Sequence, residues 1–298
     1  MFLESPGVPM SSIARTAYPR FSKKRKIKPA ELIRNYSLQP DELNLIKLRA
    51  NTDKSRFNLA LQLKTFQRLG YFIEIDRIPQ EIVSHVRHAL KYHYRLTPEY
   101  GSNNKSLYRH RQKIRDFLNV KRWGYEVVDG IRIHYGMKLA IKYAYETAHL
   151  MNNIPDIINA VIEKLIHASY ELPSFYRLSR LVRHTRHQVN NKIFLETMQK
   201  INAANLSDDF DNLLKLNEET KRTLFNQIKN RPRPTIKKFH KFLEHFDWLL
   251  SLGNAMNFLD GIAKVKIEQF AEEANQLSAD ELKDFSEAKR YTLIAALI

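Results

Sequence analysis

The chain has 298 residues, 43% of them hydrophobic, with a formal net charge of +17 at neutral pH, only 8 glycines and no cysteine. That length and apolar content support a real core, the charge points to a polyanionic partner, and the missing cysteines exclude disulfides, thiolate zinc sites and Cys nucleophiles together. No apolar stretch of signal-peptide length opens the chain and no run approaches the ~18 apolar residues of a membrane helix, so a cytoplasmic protein with no membrane partner is expected.

The charge is uneven. Residues 1–130 carry +13, residues 131–206 carry +5 and residues 207–298 carry −1. A membrane-surface protein concentrates its cations on one amphipathic segment opposite bulky apolar residues; here they are spread over several helical segments. Few glycines among many Leu, Ile, Lys, Arg and Asn predict a mainly α, multi-helical fold: two helix-turn-helix-like modules with at most a short hairpin between them.

Residues 1–28 combine Arg15, Arg20 and the cluster Lys23-Lys24-Arg25-Lys26-Ile-Lys28 with prolines 6, 9 and 19 and little periodicity. They read as a flexible basic arm, of the kind that follows a phosphate backbone or enters a minor groove. A first module is expected over 29–124. Helices are predicted from Ala30 to Tyr36, from Pro40 to about Ala50 and from Lys54 to Leu69, the last ended by Gly70 in a C′ position. A further helix starts at Ile78-Pro79 and leads to basic and aromatic residues from Arg87 to Arg95. After the loop Thr97–Asn104 comes a basic helix, Lys105–Asn119. Its buried side is Leu107, Ile114, Phe117 and Leu118; Arg109, Gln112, Lys113 and Asp116 look outward, and His110, Arg111 and Arg115 flank the seam.

Residues 125–135 are expected to be a linker or short hairpin turning at Asp129-Gly130. The second module, 136–206, opens with a helix at Gly136–Met151 and a second from Ile154 to Tyr170. The break Glu171-Leu-Pro-Ser follows, with Ser174 placed to cap the next helix. On a wheel of about 100° per residue, Leu178, Val182, Thr185, Val189 and Ile193 share one sector, with Leu181 at its margin. Arg177, Arg180, His184, His187 and Asn191 fall opposite, widened by Arg183, Arg186 and Asn190, with no acid until Glu196. A face meant only for water mixes signs. Helix, tight turn and basic helix is the arrangement in which the second helix enters a major groove.

Residues 207–298 are expected to be a neutral helical extension packing on the second module. The acidic Ser207-Asp-Asp-Phe-Asp opens a helical pair ending at Asn230, Arg231-Pro-Arg-Pro forms a stiff joint, and Thr235 caps a helix with an apolar stripe of Phe239, Phe242, Phe246, Leu249 and Leu250. The final segment is periodic to Ile298 without a stop signal, which suggests that the chain continues.

Catalytic motifs are absent: there is no Walker loop, G-x-G-x-x-G, H-E-x-x-H or G-x-S-x-G. The pairs His184/His187 and His85/His88 have metal-compatible spacing but no evident third ligand. No catalytic residue, metal or cofactor is expected.

An ordered series of segments resembles the N-terminal region of the large transposases of replicative class II transposons, the Tn-three family. It comprises Arg56-Phe-Asn-Leu-Ala-Leu-Gln-Leu with Arg68-Leu-Gly70, Ile78-Pro79, Arg109-His-Arg-Gln-Lys-Ile-Arg115, Glu171-Leu-Pro-Ser-Phe with Leu178-Ser-Arg-Leu181, Val189-Asn-Asn-Lys-Ile-Phe194, Phe270-Ala-Glu-Glu-Ala and Arg290-Tyr-Thr-Leu-Ile-Ala-Ala-Leu297. The resemblance spans roughly residues 29–298. It departs in the leader and at Asn58, where Gly is the expected residue and a helix-compatible replacement is expected to matter little.

The resemblance implies helical DNA-binding domains that recognise terminal inverted repeats, with the catalytic acids in an RNase H-like domain further along, absent from this sequence. It implies double-stranded DNA as partner, a homodimer through a C-terminal part beyond residue 298, and a place at the bacterial nucleoid. The candidate contacts are Arg177, Arg180 and Arg183 with His184, His187 and Asn191, then Arg109, Arg111, Lys113 and Arg115, then Lys24 and Arg25 in the arm. A helical RNA-binding protein and a non-enzymatic interaction scaffold are the alternatives from other classes; the lack of an RNP-type aromatic strand or a GxxG loop weighs against the first.

Overall fold

The computed structural model describes residues 15–22, 26–101, 105–128, 131–218, 221–230, 235–236 and 239–298. The protein is mainly α-helical, and strands among the described residues are confined to two short antiparallel pairs. It divides into two compact units, residues 1–141 with 158–179 and residues 142–157 with 180–298. The division does not fall at 125–135, the boundary expected between modules at 29–124 and 136–206.

The first unit begins with α1 (Pro29–Tyr36), α2 (Pro40–Arg49), α3 (Asp53–Leu69), α4 (Gln80–Ala89) and α5 (Lys105–Leu118). Proline opens both α1 and α2, where its missing N–H has no intrahelical role. Helix α3 starts at Thr52, whose Oγ1 accepts from Ser55 N at 3.2 Å, and stops at Gly70, which takes φ +72°. Phe57, Leu59, Leu61, Leu63 and Phe66 are all buried, and the polar residues among them are buried too. Along this enclosed stretch each buried polar side chain finds a partner for a donor, while the Asn58 and Gln62 side-chain oxygens are left without one. Lys64 Nζ lies 3.0 Å from Glu42 Oε1, Gln62 Nε2 donates to Ile73 O at 2.9 Å and Thr65 Oγ1 to Leu61 O at 2.7 Å. Asn58 Nδ2 donates to Glu99 O at 2.6 Å. Position 58 therefore matters more than expected: its amide holds the α4–α5 loop against α3.

A hairpin follows, β1 (Glu126–Val128) with β2 (Ile131–Ile133), paired Val127 to Arg132; its expected turn, Asp129-Gly130, lies outside the described residues. Next come α6 (Tyr135–Leu150), α7 (Ile154–His167) and α8 (Phe175–Ala203). The turn between α7 and α8 is stitched to the first helices. Lys121 N donates to Ser169 O at 2.7 Å, Glu171 N to Lys121 O at 2.9 Å and Leu172 N to Gly70 O at 2.8 Å. Glu171 receives Arg115 Nε at 2.9 Å and Trp123 N at 3.0 Å. Gly136 lies so close to Tyr170 and Trp123 that a Cβ would stand 3.0 Å and 3.2 Å from their rings. The turn expected to belong to a separate second module is part of the first unit.

The leader departs from a flexible arm where it is described. Tyr18 is 4% exposed, and its hydroxyl donates to Pro173 O at 2.7 Å. Ala17 N donates to Asn159 Oδ1 at 2.7 Å and Tyr71 hydroxyl to Pro19 O at 3.1 Å. The Tyr18 ring lies 5.1 Å from Tyr71 and 5.5 Å from Phe175. Aromatic burial of this kind outweighs the low periodicity that suggested a loose segment.

The second unit continues with α9 (Ser207–Asn212), β3 (Leu216–Asn217), β4 (Arg222–Thr223), α10 (Leu224–Lys229), α11 (Phe239–Ser251), α12 (Ala255–Phe258), α13 (Lys264–Gln276), α14 (Ala279–Lys283) and α15 (Glu287–Leu297). The pair β3–β4 stands between α9 and α10, where a plain helical pair was expected. Helix α13 packs against α15. Phe210 lies between Phe258 at 6.3 Å and Tyr291 at 5.6 Å, and Phe194 meets Phe270 at 5.5 Å. Residues 207–298 thus share one core with the body of α8. The expected stripe of α11 is not a core stripe: Leu249 is buried, whereas Phe239, Phe246 and Leu250 are exposed. The Arg231-Pro-Arg-Pro joint lies outside the described residues. No described helix is long and apolar enough to cross a membrane.

Candidate nucleic-acid interface

Helix α8 starts where Arg177 N donates to Ser174 Oγ at 3.4 Å, the expected cap. Leu178, Val182, Thr185, Val189 and Ile193 are buried and Leu181 is half-buried, as the wheel requires. Opposite them Arg177, Arg180, His184, His187 and Asn191 are exposed. Arg177 belongs to the first unit and the others to the second, all on one helix. Asn191 Nδ2 lies 3.1 Å from His187 Nε2, one turn apart on the exposed face.

The polar face is narrower than the sequence suggests. Asn190 is 8% exposed and donates from Nδ2 to Asn152 Oδ1 at 2.8 Å, while Arg186 Nη1 donates to Asn152 O at 3.2 Å. Burial holds the Arg186 guanidinium below its usual pKa. Arg183 is half-buried. The reason is a turning stripe: beyond Val189 the buried side also takes in Phe194, Thr197 and Ile201, and it carries Arg186 and Asn190 inward. Phe194 and Ile201, seven residues apart, were the available signal. Two of the four arginines, 177 and 180, remain fully on the exposed face.

The second candidate set is on α5. Arg109 is exposed, and Lys113 donates from Nζ to Arg49 O at the C-terminus of α2. Partial burial, then Arg49 and Arg109, depress the Lys113 pKa. Three cations thus meet at one end of α3, and Arg49 was not among the candidates. Arg115 faces the other way, its Nη2 2.9 Å from Glu171 Oε2 with both side chains mostly buried. Arg111 and Arg115 lie over the Phe72 ring at 5.2 Å and 4.9 Å. These two arginines are thereby committed to the packing of the first unit. Lys24 and Arg25 lie outside the described residues.

His110, expected at the seam, is buried at 3% exposure with Nε2 3.1 Å from Ser55 Oγ and Nδ1 2.8 Å from Tyr100 Oη. Burial first, then Lys113 and Arg109, push its pKa down to about 4. The ring is neutral and both nitrogens are used, which suits a structural histidine. Among the described residues no three His, Asp or Glu side chains gather to hold a metal ion.

Residues 10–185 match the family model of a domain of unknown function (DUF4158), which spans more than half of the chain. That stretch holds Arg177, Arg180, Arg183 and His184, together with all of α1–α7. No curated protein matches the chain.

Proposed function

We propose that this chain, which belongs to the DUF4158 family, binds double-stranded DNA sequence-specifically at the terminal inverted repeats of a class II transposon. It acts as the N-terminal part of a transposase and does no chemistry itself. The observation that carries this reading is the outer face of α8. Arg177, Arg180, His184, His187 and Asn191 are exposed there, with no acidic residue between Glu171 and Glu196 to neutralise them. The acid nearest the start of the helix, Glu171, is held by Arg115.

A single helix of this width fits a major groove, where arginine forks match guanine edges or phosphate oxygens and asparagine matches adenine. The ordered resemblance to Tn-three transposases supplies the biological setting, at the nucleoid of a bacterial cytoplasm. The cations at Arg49, Arg109 and Lys113 add phosphate contacts in the first unit, which position a protein without reading sequence.

Competition binding tests this reading. A labelled inverted-repeat duplex should be displaced by the same duplex unlabelled far better than by scrambled duplex or single-stranded RNA. Equal or stronger displacement by the RNA would move the protein to the RNA-binding class, and no retention of any nucleic acid would favour an interaction scaffold.

A further inference from the structure

Between α4 and Thr97 the chain makes an ordered turn that tucks Tyr92 and Leu96 inward and leaves His93, Tyr94 and Arg95 exposed. Lys91 stands at φ +57°, its N–H bonded to His88 O at 3.0 Å, and Tyr92 N–H reaches Arg87 O at 3.1 Å. Tyr92 points inward, its ring edge-on to Phe57 at 6.1 Å, and Leu96 packs on the same core. Between them Tyr94 is 67% exposed.

The exposed ring is held by its two chain neighbours. The His93 ring lies 4.4 Å from it, Arg95 Nε donates to its hydroxyl at 3.1 Å, and the Arg95 guanidinium carbon is 5.5 Å from the ring centre. Arg95 N donates to His93 Nδ1 at 3.3 Å, which fixes the imidazole within the turn. Side-chain ordering of this kind costs entropy, and here it holds an aromatic face towards water.

The surroundings select the partner. From Ile82 to Pro98 there is no acidic residue, while Arg87, Lys91 and Arg95 are basic. Tyr92 sits beside Asp53 and Arg56, Arg56 Nε donates to Ala50 O at 3.0 Å, and Lys113 bonds to Arg49 O, so the turn shares the end of α3 with the cation group. A lone phosphate has no use for an aromatic face, and an apolar protein surface does not suit the flanking cations. A nucleobase between phosphates suits both.

We infer that Tyr94 is a base-stacking residue of the first unit, its ring set against a nucleobase at an opened or kinked step of the bound duplex, with His93 and Arg95 on the adjoining phosphates. This rests on the DNA-binding reading and adds a second kind of recognition to it: aromatic, remote in sequence from α8 and tolerant of base identity.

The test uses the full chain and a mixed-sequence duplex carrying several 2-aminopurines. Wild-type protein should bind and change the 2-aminopurine emission. Tyr94→Ala should weaken binding about five- to a hundredfold, as removal of one stacked base does, abolish the emission change and leave the salt dependence alone. Tyr94→Phe should keep both signals, and Arg95→Gln should lower the slope of log affinity against log salt by about one. Melting curves confirm that the surface variants fold. If Arg180→Ala weakens binding while Tyr94→Ala binds within about twofold of wild type with the emission change intact, the stacking role is refuted and the DNA reading stands. A wild-type chain that binds no duplex refutes the DNA reading itself, and the stacking role with it.

Discussion

Arg115 Nη2 and Glu171 Oε2 stand 2.9 Å apart at side-chain exposures of 11% and 12%, and they join the fifth helix to a turn 56 residues later. Removing one member of so buried a pair leaves the other charge without its counterion, at a cost of about 3 kcal/mol. Glu171→Gln should therefore lower the melting temperature clearly, and more than Glu99→Gln, whose carboxylate pairs with Lys54 at the exposed surface. A fragment ending at residue 124 lacks the same partner. It should melt without a cooperative transition, whereas an independent first module would melt as the intact chain does.

Sequence periodicity could not foresee this. Within α8 it placed Leu178, Val182, Thr185, Val189 and Ile193 on the buried side, where they are found, because a stripe repeating every three or four positions records one flat neighbour. It also located most helix ends, since proline at N1, threonine at the N-cap and glycine past the C-terminus act locally. A tie between Arg115 and Glu171 leaves no periodic trace, so the fold was legible as elements and illegible as units. The same limit applies to the interface: exposure of Arg177 and Arg180 was readable, but the inward turn of Arg186 and Asn190 depends on what stands opposite, namely Asn152.

Acid should weaken the first unit through His110. Its folded pKa is depressed to about 4, while the unfolded chain takes up the proton near 6.5. Between these values the unfolded state binds more protons, so stability falls as pH drops, by roughly 3 kcal/mol over the full window. His110→Gln should flatten that slope between pH 6.5 and 5. Parallel pH profiles for the two proteins would contradict the assignment.

The second unit should gain stability in mild alkali, with the same sign of pH dependence. Lys266 is fully buried with its Nζ on Ala148 O, and burial, then Arg186, lower its pKa to about 8. Unfolded lysine keeps its proton to about 10.4. The folded state releases its proton first, so the cost of burying the charge fades as pH rises from about 8, and stability should increase. Urea unfolding followed from pH 8 to 9.5, below the range where tyrosines titrate, should show the rise in the wild type and its disappearance in Lys266→Met.

On the outer face, Arg177→Ala with Arg180→Ala should weaken duplex binding by about 1–3 kcal/mol for each of the two arginines that reads a base, with melting nearly unchanged because both side chains are exposed. Isotherms and melting curves on the same preparations decide it. Undiminished affinity would take this helix out of the interface.

On the non-catalytic reading proposed above, supercoiled plasmid carrying transposon ends should remain intact with the protein and Mg²⁺ or Mn²⁺. Cleavage that disappears on mutating an acid of this chain would overturn the non-catalytic reading.

The two bonds to Asn152 have a geometric consequence. An apolar stripe holds a helix through non-directional contact. Asn152 receives Arg186 through its carbonyl and Asn190 through its side-chain oxygen, two grips one helical turn apart that both lengthen if the helix rolls. They index α8 like a key in a shaft. Side chains reaching outward magnify any roll at their tips, so the angle at which Arg180 and Asn191 are offered to a ligand is set on the hidden side, by an asparagine that need never touch it.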